Sequence, residues 1–151
     1  MIDEARHELK RADHLIFVSL KYTRTMDVVE STVKRLIGSI EMAIDALFQW
    51  LLKKKKIKEI PSTYKNKIEV ARDNFKKDET ILELLKFYSF LMRVDRADHQ
   101  RKSEFRKGVA MIANDEQGDL IDEINIDKLK DYYLKTLDFI DYVEEYLSKK
   151  R

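Results

Sequence analysis

Arg93, Asp95, Arg96 and His99 lie within one short stretch, FYSFLMRVDRADHQRKSEFRKG (Phe87 to Gly108). A histidine flanked by a carboxylate and two guanidinium groups can pass a proton and stabilise a phosphate during displacement. Projected at about 100° per residue, Asp95 and His99 continue the apolar face of Ile81, Leu84, Leu85, Tyr88 and Met92. Both are then expected to point inward, or into a cleft at the end of a helical bundle. Arg96 precedes His99 by one turn, whereas Arg93 stands roughly 240° away from it on an ideal helix. The bland alternative is an i,i+4 pair in which Asp95 and His99 satisfy each other where a buried helix surfaces.

Other candidate ligands are few. His7 and His14 share a helix face, but seven residues separate them by about 10 Å along the axis, too far for one metal with bonds of about 2 Å. Glu4 and His7 form one Glu-x-x-His, and carboxylate-bridged di-metal bundles need a second. With no cysteine, disulfides, thiolate catalysis and cysteine zinc sites are excluded. No Gly-rich phosphate loop is present. Neither a metal nor a cofactor is therefore expected.

A net charge of only +2 means that any nucleic-acid site is a local patch. Two clusters qualify: Lys53 to Lys56 with Lys58, and Arg101, Lys102, Arg106 and Lys107. Lys54, Lys55, Arg101, Lys102 and Arg106 are the candidate phosphate contacts; a solvated helix face is the alternative. Asn114 to Asp127 holds six acidic residues and no basic one, so RNA must approach from elsewhere. This segment is free to meet a basic patch, for instance on another protomer.

The elements that must position these groups are mostly helical, because three glycines and one proline cannot punctuate a many-stranded β protein. Ile2, Ala5, Leu9, Ala12, Ile16 and Leu20 predict a first helix, and the apolar run Leu15 to Val18 is expected to be covered on several sides. A second helix starts at an N-cap Thr25 and buries Val29, Val33, Leu36, Ile37, Ile40, Ile44, Leu47, Phe48 and Leu51, with Trp50 off that stripe. Pro61 and Ser62 open a third, with Tyr64, Ile68, Ala71 and Phe75 on one face. Thr80 and Glu83 fit a capping box for a fourth, central helix that continues in basic form to about Lys107, where Gly108 stops it. Val109 to Ala113 and Leu120 to Ile126 pair as a short hairpin or form a hydrophobic loop. Asp127 caps a last helix with the stripe Leu129, Tyr133, Thr136, Ile140, Val143 and Leu147. The expected fold is a single all-α domain over residues 1–151, an antiparallel bundle of about five helices with a short β-hairpin near 109–126 as its one departure.

Within this order, ADHLIFVSLKYT, STVKRLIGSIEMAIDALFQWLL with Glu41 mid-helix, and Arg93 followed by five residues and His99 carry a resemblance. They resemble the first helix, the long second helix and the Arg-x(4–6)-His pattern of the HEPN domain, a small helical bundle common in prokaryotic toxin and defence systems. The resemblance covers most of the chain. It implies metal-independent RNA cleavage in a homodimer, His99 assisting attack of a ribose 2′-hydroxyl and Arg93 stabilising the charged transition state, with Asp95 and Arg96 in support. Val94 departs from the pattern, since active members usually carry a polar residue after the arginine. Many such domains instead serve as non-catalytic interaction modules, for example in toxin–antitoxin pairs or beside a nucleotidyltransferase. A cytoplasmic chain without a membrane span is expected, because no apolar run reaches the ~20 residues a bilayer requires. Abundant Lys and Glu with no Cys would suit a thermophile.

Overall fold

The computed structural model describes residues 2–150. Helix α1 (Ile2–His14) runs through a π-helical turn, Leu15–Ser19, into the short α2 (Leu20–Tyr22). The long α3 (Met26–Lys53), α4 (Tyr64–Asn74) and α5 (Glu79–Arg96) follow. Strands β1 (Asp98–Lys102), β2 (Ala110–Asn114) and β3 (Leu120–Asn125) then form an antiparallel sheet in the order β1-β2-β3, and α6 (Ile126–Lys149) closes the chain. The fold is mainly helical, but it is not all-α. No described helix is long and apolar enough to cross a membrane.

Every residue of the predicted α3 stripe is buried, and α1, α5 and α6 pack their own apolar faces around it. This is the ordinary outcome for stripes at three-four spacing. Trp50, off the stripe, covers the α4–α5 connection by stacking on Phe75 at 6.3 Å and meeting Tyr146 edge-on at 5.3 Å.

The largest correction concerns α5. It ends at Arg96, and residues 98–102, expected to be helical, form the edge strand β1. The apolar face runs out at Val94, so further helix would bury nothing, whereas Ala110 to Ala113 offers an apolar strand to pair with. Charge on an exposed edge strand also opposes pairing with other chains. The predicted hairpin exists as β2 and β3, joined by a turn in which Gly118 takes φ +83.

Three caps also differ from expectation. Thr25 occupies the N-cap of α3 without a side-chain bond, and Glu104 from the β1–β2 loop accepts the Met26 amide at 3.1 Å instead. That amide, followed by Arg101, holds the Glu104 carboxyl below its usual range. Asp78, not Thr80, caps α5 through the Ile81 amide, and Asn125, not Asp127, caps α6 through the Lys128 amide. Each is one of the small oxygen-bearing residues that N-caps favour. The run Leu15 to Val18 is only partly covered: Ile16 is buried, but Phe17 is 48% exposed and Val18 42%.

Four phenols bond to carboxylates inside this frame: Tyr88 to Glu41 at 2.7 Å, Tyr64 to Asp45 at 2.8 Å, Tyr142 to Asp78 at 2.6 Å, and Tyr132 to Asp122. Burial, then the carboxylate, raises Tyr64, Tyr88 and Tyr132 well above the ordinary value of 10. The Asp78 bond pushes Tyr142 up to about 12. The folded chain therefore holds these protons more tightly than the unfolded chain. The associated stability is fully present below pH 10.0, the ordinary phenol value, and is lost as pH rises above it. Thermal unfolding followed across that range is expected to show a falling midpoint, with Tyr142 ionising near 12 in the folded chain and phenolate absorbance from Tyr64, Tyr88 and Tyr132 appearing on unfolding.

Candidate functional site

The residues proposed for chemistry do not meet as a helical face would bring them together. His99 sits on β1 with a side chain 14% exposed. Its Nδ1 lies 3.1 Å from Glu30 Oε1 of α3, and its Nε2 lies 2.6 Å from the Val94 carbonyl at the end of α5. The Val94 carbonyl can only accept, so Nε2 is the donor in that bond. Asp95 does not pair with His99; it accepts from Lys34 Nζ at 2.8 Å.

Arg93 and Arg96 are exposed and share a shallow cavity of about 400 Å³ with Ala97, Asp98, Asn114, Asp115, Glu116 and Ile121. His99 does not line that cavity. The strand explains why, since successive side chains point to opposite faces and Asp98 takes the side His99 does not. The acidic segment thus stands beside these arginines within one chain. It also supplies Glu123 to Lys102 and Asp122 to Lys128.

The two basic clusters separate completely. Arg101, Lys102 and Arg106 lie near the start of α3, where Arg101 bonds Glu104 at 3.0 Å and approaches Asp27 at 3.5 Å. Glu104 and Asp27 raise the Arg101 guanidinium further above its ordinary value. Lys54 and Lys55 follow the other end of α3, whose 28 residues separate the clusters by about 40 Å.

At that far end three segments converge. The C-terminus of α3 brings Lys53 to Lys56, the α4–α5 connection brings Lys76 and Lys77, and the end of α6 brings Lys150. Aromatic packing fixes their proximity: Trp50 donates Nε1–H to the Lys150 carbonyl at 3.0 Å, and Phe75 meets Tyr146 at 5.8 Å. Lys56 lies over Trp50 at 5.4 Å and Lys150 over Tyr146 at 5.9 Å. A cavity of about 710 Å³ opens among Phe75, Lys76, Lys77, Tyr142, Tyr146 and Lys150, with three acidic residues, Asp73, Asp78 and Glu79, also on its wall. None of Lys53 to Lys56, Lys76, Lys77 or Lys150 has a carboxylate partner among the described residues. Cations at the C-terminal ends of α3 and α6 also suit the helix dipoles.

Left-handed backbone at a non-glycine residue occurs beside both basic clusters, at Ser103 (φ +52) and Phe105 (φ +67) near the first and at Lys55 here. The Lys56 amide bonds the Leu51 carbonyl and the Lys55 amide bonds the Leu52 carbonyl, which closes α3 as a Schellman motif. Lys55 takes φ +58 there, a conformation glycine adopts without the side-chain penalty. Lys55→Gly is expected to stabilise the fold by about 1 kcal/mol in chemical denaturation. The sequence keeps a lysine where glycine would fold better.

Lys54 and Lys55 were recognisable as candidates from their run of four lysines. Lys76, Lys77 and Lys150 were missed: each belongs to a short basic run in sequence, and only tertiary packing brings them beside Trp50. Glu30, the partner of His99, left no sequence signal because the two are 69 residues apart. Compared with protein-family models, curated proteins and solved structures, the chain has no match.

Proposed function

We propose that this chain is a HEPN-like helical domain that binds single-stranded RNA without cutting it, through the lysine pole at the end of α3. The observation that carries the reading is the convergence of unpaired lysines from three segments on an aromatic floor. Lysines supply sequence-independent phosphate contacts, and half-buried tyrosine rings offer faces on which unpaired bases stack. Binding is favoured over cleavage because both His99 nitrogens are engaged within the fold and His99 lies outside the arginine cavity. The test is fluorescence anisotropy of a short labelled RNA in excess EDTA. With about four phosphates contacted, affinity should fall roughly fiftyfold between 50 and 200 mM salt. Binding that ignores salt, or its absence at low salt, would refute the reading.

The rival reading, a protein-interaction module, is favoured by a different observation: Phe17, Tyr22 and Leu134 are large apolar residues left exposed.

A further inference from the structure

His7 and His14, too far apart to share a metal, stand on the wall of one cavity of about 490 Å³ between α1 and α3. Lys10 and Arg11 of α1 and Ser31 and Arg35 of α3 complete its polar lining. Helical spacing explains the convergence. Residues 7, 11 and 14 recur along one face of α1, and residues 31 and 35 share a face of α3. The two helices run antiparallel, with Ser39 Oγ donating to the Ala5 carbonyl at 2.7 Å and Arg35 reaching Glu8 at 3.2 Å.

No carboxylate lines this cavity, whereas Asp73, Asp78 and Glu79 line the one at the lysine pole and Asp98, Asp115 and Glu116 the one beside Arg93. Glu8, whose side chain is only 13% exposed, accepts from Arg11 Nη1 at 2.8 Å and from Arg35 Nη1 at 3.2 Å. It holds both guanidinium groups in place and cancels one of their two charges. A guanidinium carries five N–H donors, so each keeps most of them for a ligand. His7, Lys10 and His14 are exposed, with no hydrogen-bond or ion-pair partner among the described residues. Asp3 and Glu4 lie one turn before His7, and Asp27 lies one turn before Ser31 beside Arg101, so acids mark the ends of the site and not its wall. Asp13 projects about 160° away from Arg11 on an ideal helix.

We infer that this cavity binds a short chain of linked phosphate groups. Guanidinium forks match phosphate oxygens in pairs, a lysine adds a point charge, and imidazole N–H and the Ser31 hydroxyl donate further bonds. His7 and His14 are about 10 Å apart along the axis, a span that adjoining phosphates fill and a single one does not. Arg35 lies about 30 Å along α3 from Lys54. The inference therefore stands independently of RNA binding at the lysine pole.

Isothermal titration calorimetry of the full chain with tripolyphosphate in EDTA, paired with imidazole NMR, tests this. Binding is expected to shift the resonances of His7 and His14 and to leave those of His99, the third histidine, unmoved. Lys10→Gln with His14→Gln alters two exposed residues without partners and should weaken binding at least about tenfold, with circular dichroism unchanged. Arg35→Lys keeps the charge but loses the fork, and should weaken it about fivefold. Lys54→Glu, Lys55→Glu, Lys76→Glu and Lys77→Glu together should leave it unchanged. A nucleoside triphosphate separates the two sources of such a chain: equal or weaker affinity assigns free polyphosphate, and tighter affinity assigns a chain carried on a nucleoside. No binding of tripolyphosphate, loss of binding through the four lysine-pole substitutions, or indifference to Lys10→Gln with His14→Gln would each overturn the proposal.

Discussion

Replacing Lys54, Lys55, Lys76 and Lys77 together by glutamate is expected to weaken single-stranded RNA binding by roughly a hundredfold or more at low salt. All four are exposed and lack carboxylate partners among the described residues, so reversal removes attraction and adds repulsion without emptying the core. The log–log salt slope should flatten by about 0.7 for each phosphate that is no longer neutralised. The matched control is charge reversal at Arg101, Lys102 and Arg106. These lie about 40 Å away along α3, and two of the three are already ion-paired. That control is expected to change affinity less than about threefold, the shift left when only distant screened charge is altered. Equal losses from both variants would mean that RNA responds to overall charge and that the pole is no site. Lys55→Gly offers a finer reading, since it should raise stability while lowering affinity. Moving both in the same direction would remove the argument that this lysine is kept for binding.

His99→Ala should lower stability by about 1–3 kcal/mol, because it strips partners from a part-buried carboxylate and from the carbonyl that ends α5. The loss should appear in denaturant unfolding, with RNA affinity unchanged. Glu30→Gln is the informative companion: it keeps the volume but replaces the charged acceptor, so a smaller loss is expected. The cleavage reading predicts something else for the same protein. Wild type would cut a labelled structured RNA in EDTA, leave 2′,3′-cyclic phosphate ends, and lose that activity in His99→Ala while staying folded. Such a result would restore His99 and Arg93 as a catalytic pair and would require the partner protomer to bring them together.

The amino-acid sequence alone specified the helices, because their apolar spacing is a local property. The stripe from Val29 to Leu51 in α3 and that from Ala5 to Leu20 in the first helix are buried as their periodicity requires. The two runs around NDEQGD are open in sequence to a hairpin or a hydrophobic loop; they pair as a hairpin, the continuous apolar run Val109 to Ala113 lying against Leu120 to Asn125 across a turn holding Gly118. What tertiary structure decided was everything that depends on a neighbour. Residues 98–102 have helix-compatible composition, and only the apolar strand β2 beside them makes extension the better choice. Changing that one stretch from helix to strand moved His99 out of line with Arg96 and onto Glu30. Likewise, no spacing along the chain links Lys54 with Lys76 and Lys150. Their meeting follows from Trp50, Phe75 and Tyr146 burying one another across three segments, so the charge distribution of the surface was set by the packing of the aromatic groups beneath it.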